Sequence, residues 1–357
     1  MIVDGYAGAG GWDEGARQLG LTDIVGFDNW LDACRTAKAA GHARICTDVA
    51  TYPTAPFAGR VRGAVFSPPC QPWSTAGKQL GKEDQQRVHA LVARMAAGDD
   101  RWQDMTWEDD RSHHAAQPVR WVRDLRPEWV AFEQVPEVLP LWAHIGQVLR
   151  GWGYNAWVGK LCAADYGVPQ TRTRAVLIAS RVRRVGQPVA THYDPQAGYA
   201  LFGQPWVSMG EALGWDGATM TQDRGAGMIE RYGERPDRPM HQPAFTIRGS
   251  SKGSGTRLRW VMANGAQANA TRRHLDEPAG TIFCSRPGNL RWQDGEQTRP
   301  VSLTEAAILQ SFPADYPWHG NKTSTFLQVG NAVPPGLAAA VVAEATGIQA
   351  RQMAVAA

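Results

Sequence analysis

Cysteine is scarce in this chain and never paired in sequence. Cys34, Cys46, Cys70, Cys162 and Cys284 include no Cys-x-x-Cys and leave an odd count, so neither a zinc site nor a disulfide framework is signalled. A reducing, intracellular setting fits. No basic leader with an apolar stretch precedes Ile2-Val3-Asp4, and no window reads as long as a membrane span, so a cytoplasmic protein without membrane contact is expected. Net charge is also small, +3 over 357 residues, but it is unevenly spread: Gln170 to Pro300 carries 18 Lys/Arg against 11 Asp/Glu. That segment is therefore at +7 and the remainder at −4. A positive segment on a mildly acidic body fits a polyanion contact on one side, and equally a solvated arginine face.

What is present is an alternation. With 43% apolar residues the chain can bury a sizeable core. Short apolar runs at Met1–Asp4, Ile24–Asp28, Ile45–Val49, Val61–Ser67, Trp129–Glu133 and Ala175–Ser180 read as strands. Helical patterns fill Trp12–Leu19, Trp30–Ala40, Pro118–Leu125 and Leu139–Gly151. Strand and helix in turn predict an α/β protein with a doubly wound, mostly parallel sheet. From about Val185 to Thr298, glycine, proline, arginine and isolated tryptophans dominate, with short strand-like pieces at Ala244–Arg248 and Gly280–Cys284. A second, smaller, β-rich domain is expected there. After Pro300 helices return at Thr304–Gln310, behind Ser302-Leu303-Thr304-Glu305, and in an alanine-rich run from Pro334 to Glu344. The expected division is 1–184, 185–297 and a return to the first domain over 298–357. The long polar stretch Thr75–Asp109, with a brief helical pattern at Val88–Met95, suggests a functional lid.

Several polar groups fall just past strand ends, where open α/β sheets bind ligands. Asp4-Gly5-Tyr6-Ala7-Gly8-Ala9-Gly10-Gly11 sets four glycines between the first strand and first helix, letting a cofactor approach the backbone and the helix N–H groups. Its spacing is not Gly-x-Gly-x-x-Gly, which disfavours a nicotinamide enzyme. Asp28 could accept both hydroxyls of a ribose and Asp48 an amino group; both could also be simple turn formers. Ser67-Pro68-Pro69-Cys70-Gln71-Pro72-Trp73 fences a cysteine with three prolines after an apolar run. That fixes the backbone around an attacking thiol, although a small core thiol in a turn would look the same. Glu133 closes a buried strand, as an acid or a turn residue. Gln170-Thr171-Arg172-Thr173-Arg174 puts both arginines on one strand face, suited to a substrate oxygen and a partner carboxylate.

In order, these blocks resemble the cytosine-5 DNA methyltransferase family. Its Phe-Ala-Gly-x-Gly-Gly stands here as Tyr6-Ala7-Gly8-Ala9-Gly10-Gly11, and its Pro-Pro-Cys-Gln as Pro68-Pro69-Cys70-Gln71. Its Glu-Asn-Val becomes Glu133-Gln134-Val135, and its Gln-x-Arg-x-Arg is Gln170 to Arg174. The closing Gln-x-Gly-Asn-x-Val-Pro is intact from Gln328 to Pro334, and Asp110-Arg111-Ser112 resembles a short acidic-basic block of the family. The blocks span residues 3 to 335; about 185 to 297 matches little, as a variable target-recognition region would. Departures are Tyr6 for phenylalanine, Trp73 after the cysteine block, and Gln134 for asparagine.

The resemblance implies a Rossmann-like methyltransferase domain with a β-rich target-recognition domain. It implies a catalytic set of Cys70, Glu133, Arg172 and Arg174, with Cys70 adding to carbon 6 of an extruded cytosine. S-adenosylmethionine, leaving as S-adenosylhomocysteine, would lie on Tyr6, Ala7, Gly8, Gly10, Gly11, Asp28, Asn29, Asp48, Val49, Pro68, Asn331 and Val333. Base and DNA contacts would come from Ser67, Gln71, Ser74, Gln170, Arg248, Arg257 and Thr281, with Arg259, Arg272 and Arg286 as further candidates. A Thr-Ile pair, Thr246-Ile247 or Thr281-Ile282, would answer to the family's Thr-Leu. The expected partner is double-stranded DNA, with a cognate restriction endonuclease or other defence protein as a further one; no metal is implied and a monomer is expected. Rival readings are a tRNA methyltransferase of the same fold and a catalytically silent DNA-binding relative.

Overall fold

The computed structural model describes residues 1–73, 80–195, 197, 203–215, 219–222, 238–239, 256–258, 261–264, 272–282, 290–294 and 297–348. Its centre is a seven-stranded sheet built from β1 (Ile2–Gly5), β2 (Ile24–Asp28), β3 (Ala43–Cys46), β4 (Gly63–Phe66), β5 (Trp129–Gln134), β6 (Asn155–Cys162) and β8 (Thr173–Ser180). The short β7 (Gln170–Thr171) leads into β8, and α2 (Leu31–Ala39) joins β2 to β3. Strand order is β3-β2-β1-β4-β5-β8-β6. All neighbours up to β5 pair in parallel, and β8 runs antiparallel between β5 and β6. The order reverses direction between β1 and β4, so a crevice opens past their C-terminal ends.

The period of two in each strand splits the core into two layers. Val3, Phe66, Val130, Phe132 and Leu177 face one side, under α3 (Gln85–Ala96), α4 (Gln117–Leu125) and α5 (Leu139–Gly151). Ile2, Val65, Trp129, Ala131 and Ile178 face the other. There α1 (Gly11–Gln18) meets the helix Pro335–Thr346, which returns from the far end of the chain. Gly11 and Gly15 permit that meeting: a Cβ on Gly11 would strike the Val333 carbonyl, and one on Gly15 would lie 2.6 Å from the Ala338 Cβ. The helix Pro335–Thr346 thus packs closely on α1.

Two expectations need correction. Much of the stretch Thr75–Asp109 is not a lid. Its helix α3 buries Val88, Leu91, Val92 and Met95 completely, and at roughly 1.5–3 kcal/mol for each such side chain it is anchored to the core. The carboxylate of Asp84 then accepts from the backbone N–H groups of Glu108 and Asp109 at 2.9 and 3.1 Å, pinning the end of the segment as well. Residues 74–79 lie outside the described residues. Second, Lys322–Thr346 does have the length and mean hydropathy, 1.4, of a span. It comprises two helices, Lys322–Asn331 and Pro335–Thr346, interrupted at Ala332 to Pro334, and 67% of the apolar window is buried. It is core.

Smaller shifts have local causes. The third strand ends at Cys46 rather than Val49 because Asp48 closes a turn, accepting the Ala50 N–H at 2.8 Å. Strand β6 gives little sequence signal because it is a half-exposed edge. The capped helix runs Leu303–Leu309, with Ser302 and Glu305 forming the anticipated reciprocal cap.

Within 185–297 the described pieces are β-rich. Thr219–Gln222 pairs antiparallel with Arg238–Pro239 and Thr256–Leu258. Arg272–His274, Val261–Asn264, Leu290–Asp294 and Gln297–Pro300 form a four-stranded antiparallel sheet. A third core joins Met262, Leu275, Ile282 and Trp292 to Ala307, Phe326 and Val329, so this segment packs directly on the helices that follow it. The expected strand Ala244–Arg248 lies outside the described residues. Of Gly280–Cys284, only Gly280 is in a strand, Ala279–Gly280, which pairs with β7; Thr281 and Ile282 are irregular, and the rest is outside the described residues.

Candidate active site

A cavity of about 300 Å³ opens past the ends of β1 and β4. The glycine turn forms one wall. Tyr6 and Gly8 adopt left-handed backbone, φ 63° and 52°, which doubles the chain back before α1. A Cβ on Gly8 would meet no other atom within 4 Å, so the turn presents bare backbone to open space. Asp28 fastens this turn to β2, accepting the Gly8 N–H at 2.8 Å and the Trp30 N–H at 2.7 Å. Burial pushes its carboxyl upward, and those two N–H groups oppose the shift.

Beneath the turn lies a buried ionic framework. Arg44 grips both oxygens of Asp13, at 3.1 and 2.6 Å, and approaches the carbonyls of Ala7 and Gly8. Asp4 is fully buried beside Asp13, and its pKa is raised well above the carboxylate range by burial first and by Asp13 second. This part of the site carried no sequence signal beyond strand-end acids.

The opposite wall carries the thiol. Trp73 N–H closes a turn onto the Cys70 carbonyl at 3.0 Å, and Trp12 of α1 donates to the Ser67 hydroxyl at 2.9 Å, tying the cysteine loop to the glycine turn. Cys70 is partly exposed. Burial raises its thiol pKa, while Arg174 and Arg172 pull it down. Glu133 and Arg174 form a buried pair, Nε to Oε1 at 3.0 Å. Gln134 keeps the function of an amide at that position: its Nε2 donates to the Pro68 carbonyl, and its Oε1 accepts the Val135 N–H at 2.6 Å. One side chain thereby links the cysteine loop to the glutamate loop.

Of the expected residues, the cavity is lined by Tyr6, Ala7, Gly8, Gly11, Asp28, Asn29, Ser67, Pro68, Cys70, Gln71, Glu133, Arg172, Arg174, Asn331 and Val333. It does not bring in five others, Gly10, Asp48, Val49, Gln170 and Thr281. Gly10 caps α1 with φ 112° above His42 and Tyr316. Asp48 serves its own turn, and the Val49 carbonyl accepts from Arg120 and Trp121. Gln170 is buried as a staple, donating to Gln310 at 2.6 Å and to the Leu309 carbonyl at 3.2 Å, and accepting the Ile282 N–H at 3.2 Å. Thr281 follows the strand pair that joins Ala279–Gly280 to β7 and is not in the lining. Ser74, Arg248, Arg259, Arg286 and Thr246-Ile247 lie outside the described residues; of Arg257 and Arg272 only the strand backbone is described. Sequence reading missed Trp30, Arg111, His114 and Gln328, all in the lining. Arg111 and Gln328 sat inside quoted motif blocks and could have been found; His114 had no signal.

Among the described residues no group of three or more His, Cys, Asp or Glu could hold a metal ion. The cavity joins an aimed thiol, a carboxylate with two arginines, and a glycine cradle, and the comparison with known proteins has the same sense. The family model for C-5 cytosine-specific DNA methylase matches residues 1–97 and 103–346. The chain belongs to that family. Its activity is therefore methylation of cytosine in DNA.

Curated relatives of this methylase are Type II methyltransferases. M1.HphI of Haemophilus parahaemolyticus is 26% identical over 357 residues, covering 95% of this chain and 84% of the relative. M.MthTI of Methanothermobacter thermautotrophicus is 26% identical over 349 residues, 94% of each. The S. pombe Dnmt2 methyltransferase structure superposes with a TM-score of 0.56 at 14% identity, over 96% of this chain and 97% of that one, which speaks to the fold alone. Only residues 98 to 102 interrupt the family match. They fall at the start of an acidic, tryptophan-containing stretch, Asp99 to Asp110.

Proposed function

We propose that this methylase acts on carbon 5 of a cytosine extruded from duplex DNA, through a covalent Cys70 adduct, with S-adenosylmethionine as methyl donor. The observation that carries the reading is the convergence of Cys70, Glu133, Arg172 and Arg174 with the glycine turn around one cavity. The residues present fit the cofactor: Gly8 offers a cradle that a Cβ would fill, and the Asp28 carboxylate stands at its rim. Tyr6, Ala7, Gly8, Gly11, Asp28, Asn29, Asn331 and Val333 would hold it, and when bound it supplies an activated methyl group.

The remaining chemistry belongs to the chain. Cytosine carbon 5 is a poor nucleophile, and sulfur addition at carbon 6 makes it electron-rich. The thiol must give up its proton for this, and the two arginines that oppose the burial shift favour the thiolate. Glu133, oriented by Arg174, would hold the ring nitrogen and exocyclic amine as charge develops, and Arg172 the carbonyl oxygen. Loss of the carbon-5 proton and expulsion of Cys70 then restore the aromatic ring. Extrusion costs a few kcal/mol, and the segment 185–297 is the proposed source of target recognition through the major groove.

The test is chemical. Cys70→Ser should bind S-adenosylmethionine and transfer no methyl group, and the wild type should form a gel-stable adduct with cognate duplex carrying 5-fluorocytosine, whose fluorine cannot leave as a proton does. Methylation without such an adduct would remove Cys70 from the mechanism.

A further inference from the structure

The segment between α3 and α4 contains Trp102, Trp107 and a His113-His114 pair that the mechanism does not use. Trp102 stacks on His113 with ring centroids 3.7 Å apart and planes at 12°. His113 lies against His114 at 4.1 Å. His114 meets Tyr6 edge-on at 5.4 Å, and its Nδ1 lies 3.0 Å from the Tyr6 hydroxyl. Tyr6 and His114 both line the cavity. A continuous chain of ring contacts therefore runs from the Trp102 turn, where the family match is interrupted, to the wall of the proposed cofactor site.

The chain is held at both ends. The Trp107 indole donates to the Trp102 carbonyl at 3.4 Å, and Arg87 donates to Asp84, whose carboxylate fixes Glu108 and Asp109. At the other end Tyr6 has left-handed backbone, φ 63°, which a side-chain residue adopts only when its surroundings hold it. Burial pushes both imidazole pKa values down, that of His113 to about 3, while Asp48 opposes the shift at His114. In the tautomer with an unprotonated Nδ1, His114 accepts the Tyr6 O–H at 3.0 Å, with its own carbonyl a longer acceptor at 3.4 Å. The phenylalanine that the family pattern has at this place has no hydroxyl to give.

We propose that His114, braced by the Trp102–His113 stack, is a positioning residue that fixes Tyr6 against the cofactor, so that this methylase has a hydrogen-bonded aromatic wall where the family pattern has a packed one. This rests on the reading of the cavity as the S-adenosylmethionine site. It gives the acidic, tryptophan-containing stretch a role in cofactor binding through His114, with no part in the chemical step.

The experiment is a double-mutant cycle on the full chain, reading the dissociation constant and KM for S-adenosylmethionine, together with kcat at saturating cofactor. His114→Leu and Tyr6→Phe should each weaken binding roughly 2- to 12-fold, the range of one net hydrogen bond, with KM rising in step. The double variant should be no weaker than either single one. His114→Asn, whose Oδ1 can take the place of Nδ1, should restore binding to within about twofold when Tyr6 is present and do nothing beside Tyr6→Phe. Trp102→Ala should raise KM in the same way; if it fails to fold, the Tyr6/His114 cycle decides alone. Additive losses, or His114→Asn as weak as His114→Leu, would overturn the proposal. Wild-type protein that methylates DNA without binding S-adenosylmethionine would instead overturn the cofactor reading beneath it.

Discussion

Removing the guanidinium of Arg174 should damage stability and catalysis in separable ways. Arg174 Nε lies 3.0 Å from Glu133 Oε1, and the two side chains are 10% and 7% exposed. Breaking such a pair from one side strands a buried charge, at a cost of about 3–5 kcal/mol. Arg174→Met should therefore lower the free energy of unfolding by about that amount, and Glu133→Gln by a comparable one, because it leaves Arg174 beside Arg172 without its carboxylate. The double variant Glu133→Gln/Arg174→Met buries two neutral side chains of similar size. It should recover to within about 1–2 kcal/mol of wild type, yet remain inactive on DNA. Urea unfolding of the four proteins gives the coupling energy, and methylation assays on the same samples give the activity. Additive stability losses would refute the pairing argument. Activity returning with stability in the double variant would refute the assignment of Glu133 to the base.

Three further outcomes follow from other parts of the site. Asp28→Ala should weaken S-adenosylmethionine binding by about 1.5–3 kcal/mol, the value of a hydrogen bond to a charged group, whereas Asp48→Ala, at a residue outside the cavity lining, should weaken it less; calorimetry on both variants checks the order. Asp4 has a folded-state pKa raised by burial, so its contribution to stability is fully present below the unfolded carboxylate pKa and lost as pH rises toward the folded one. Asp4→Asn should accordingly gain stability relative to wild type as pH is raised, and a parallel pair of Tm-against-pH curves would contradict this. Affinity for cognate duplex should fall steeply with salt if the basic segment Gln170 to Pro300 contacts phosphates, while cofactor affinity should change little; equal slopes would place the DNA contacts elsewhere.

Much of the seven-stranded sheet and its helices was legible because strand and helix periods are strong where both faces of a sheet are covered. β1, β2, β4 and β5 were located to within a few residues because buried parallel strands read as apolar runs. β6 escaped because an edge strand with a half-exposed pattern has neither signal, and the helix Lys322–Asn331 because its first turn, Lys322-Thr323-Ser324-Thr325, is polar and its start is set by the Asn321 side chain accepting the Ser324 N–H. The lid expectation failed for a related reason. The Gly, Gln and Asp content of Thr75–Asp109 reads as a loop, yet the helical pattern at Val88–Met95 belongs to a 12-residue helix that buries Val88, Leu91, Val92 and Met95 in the core.

The site divides along the same line. Residues that line the cavity and stand in a motif block, such as Cys70, Glu133, Arg172 and Arg174, were legible because the block itself marks them. Residues that act by holding others were not. Arg44 reaches under the glycine turn from β3 to grip Asp13 in α1, a contact between elements that no local pattern records. Gln170 belongs to the most recognisable arginine block, yet its side chain joins Gln310 and Ile282 across the fold. Motif membership marks that a side chain is constrained, and only its contacts tell whether the constraint is chemical or architectural. Gln134 shows the converse: it departs from the asparagine of the family pattern, and its longer amide still reaches the Pro68 carbonyl beside Cys70. What this position requires is a bridge between the cysteine and glutamate loops, and either amide can supply one if the loop geometry matches its length.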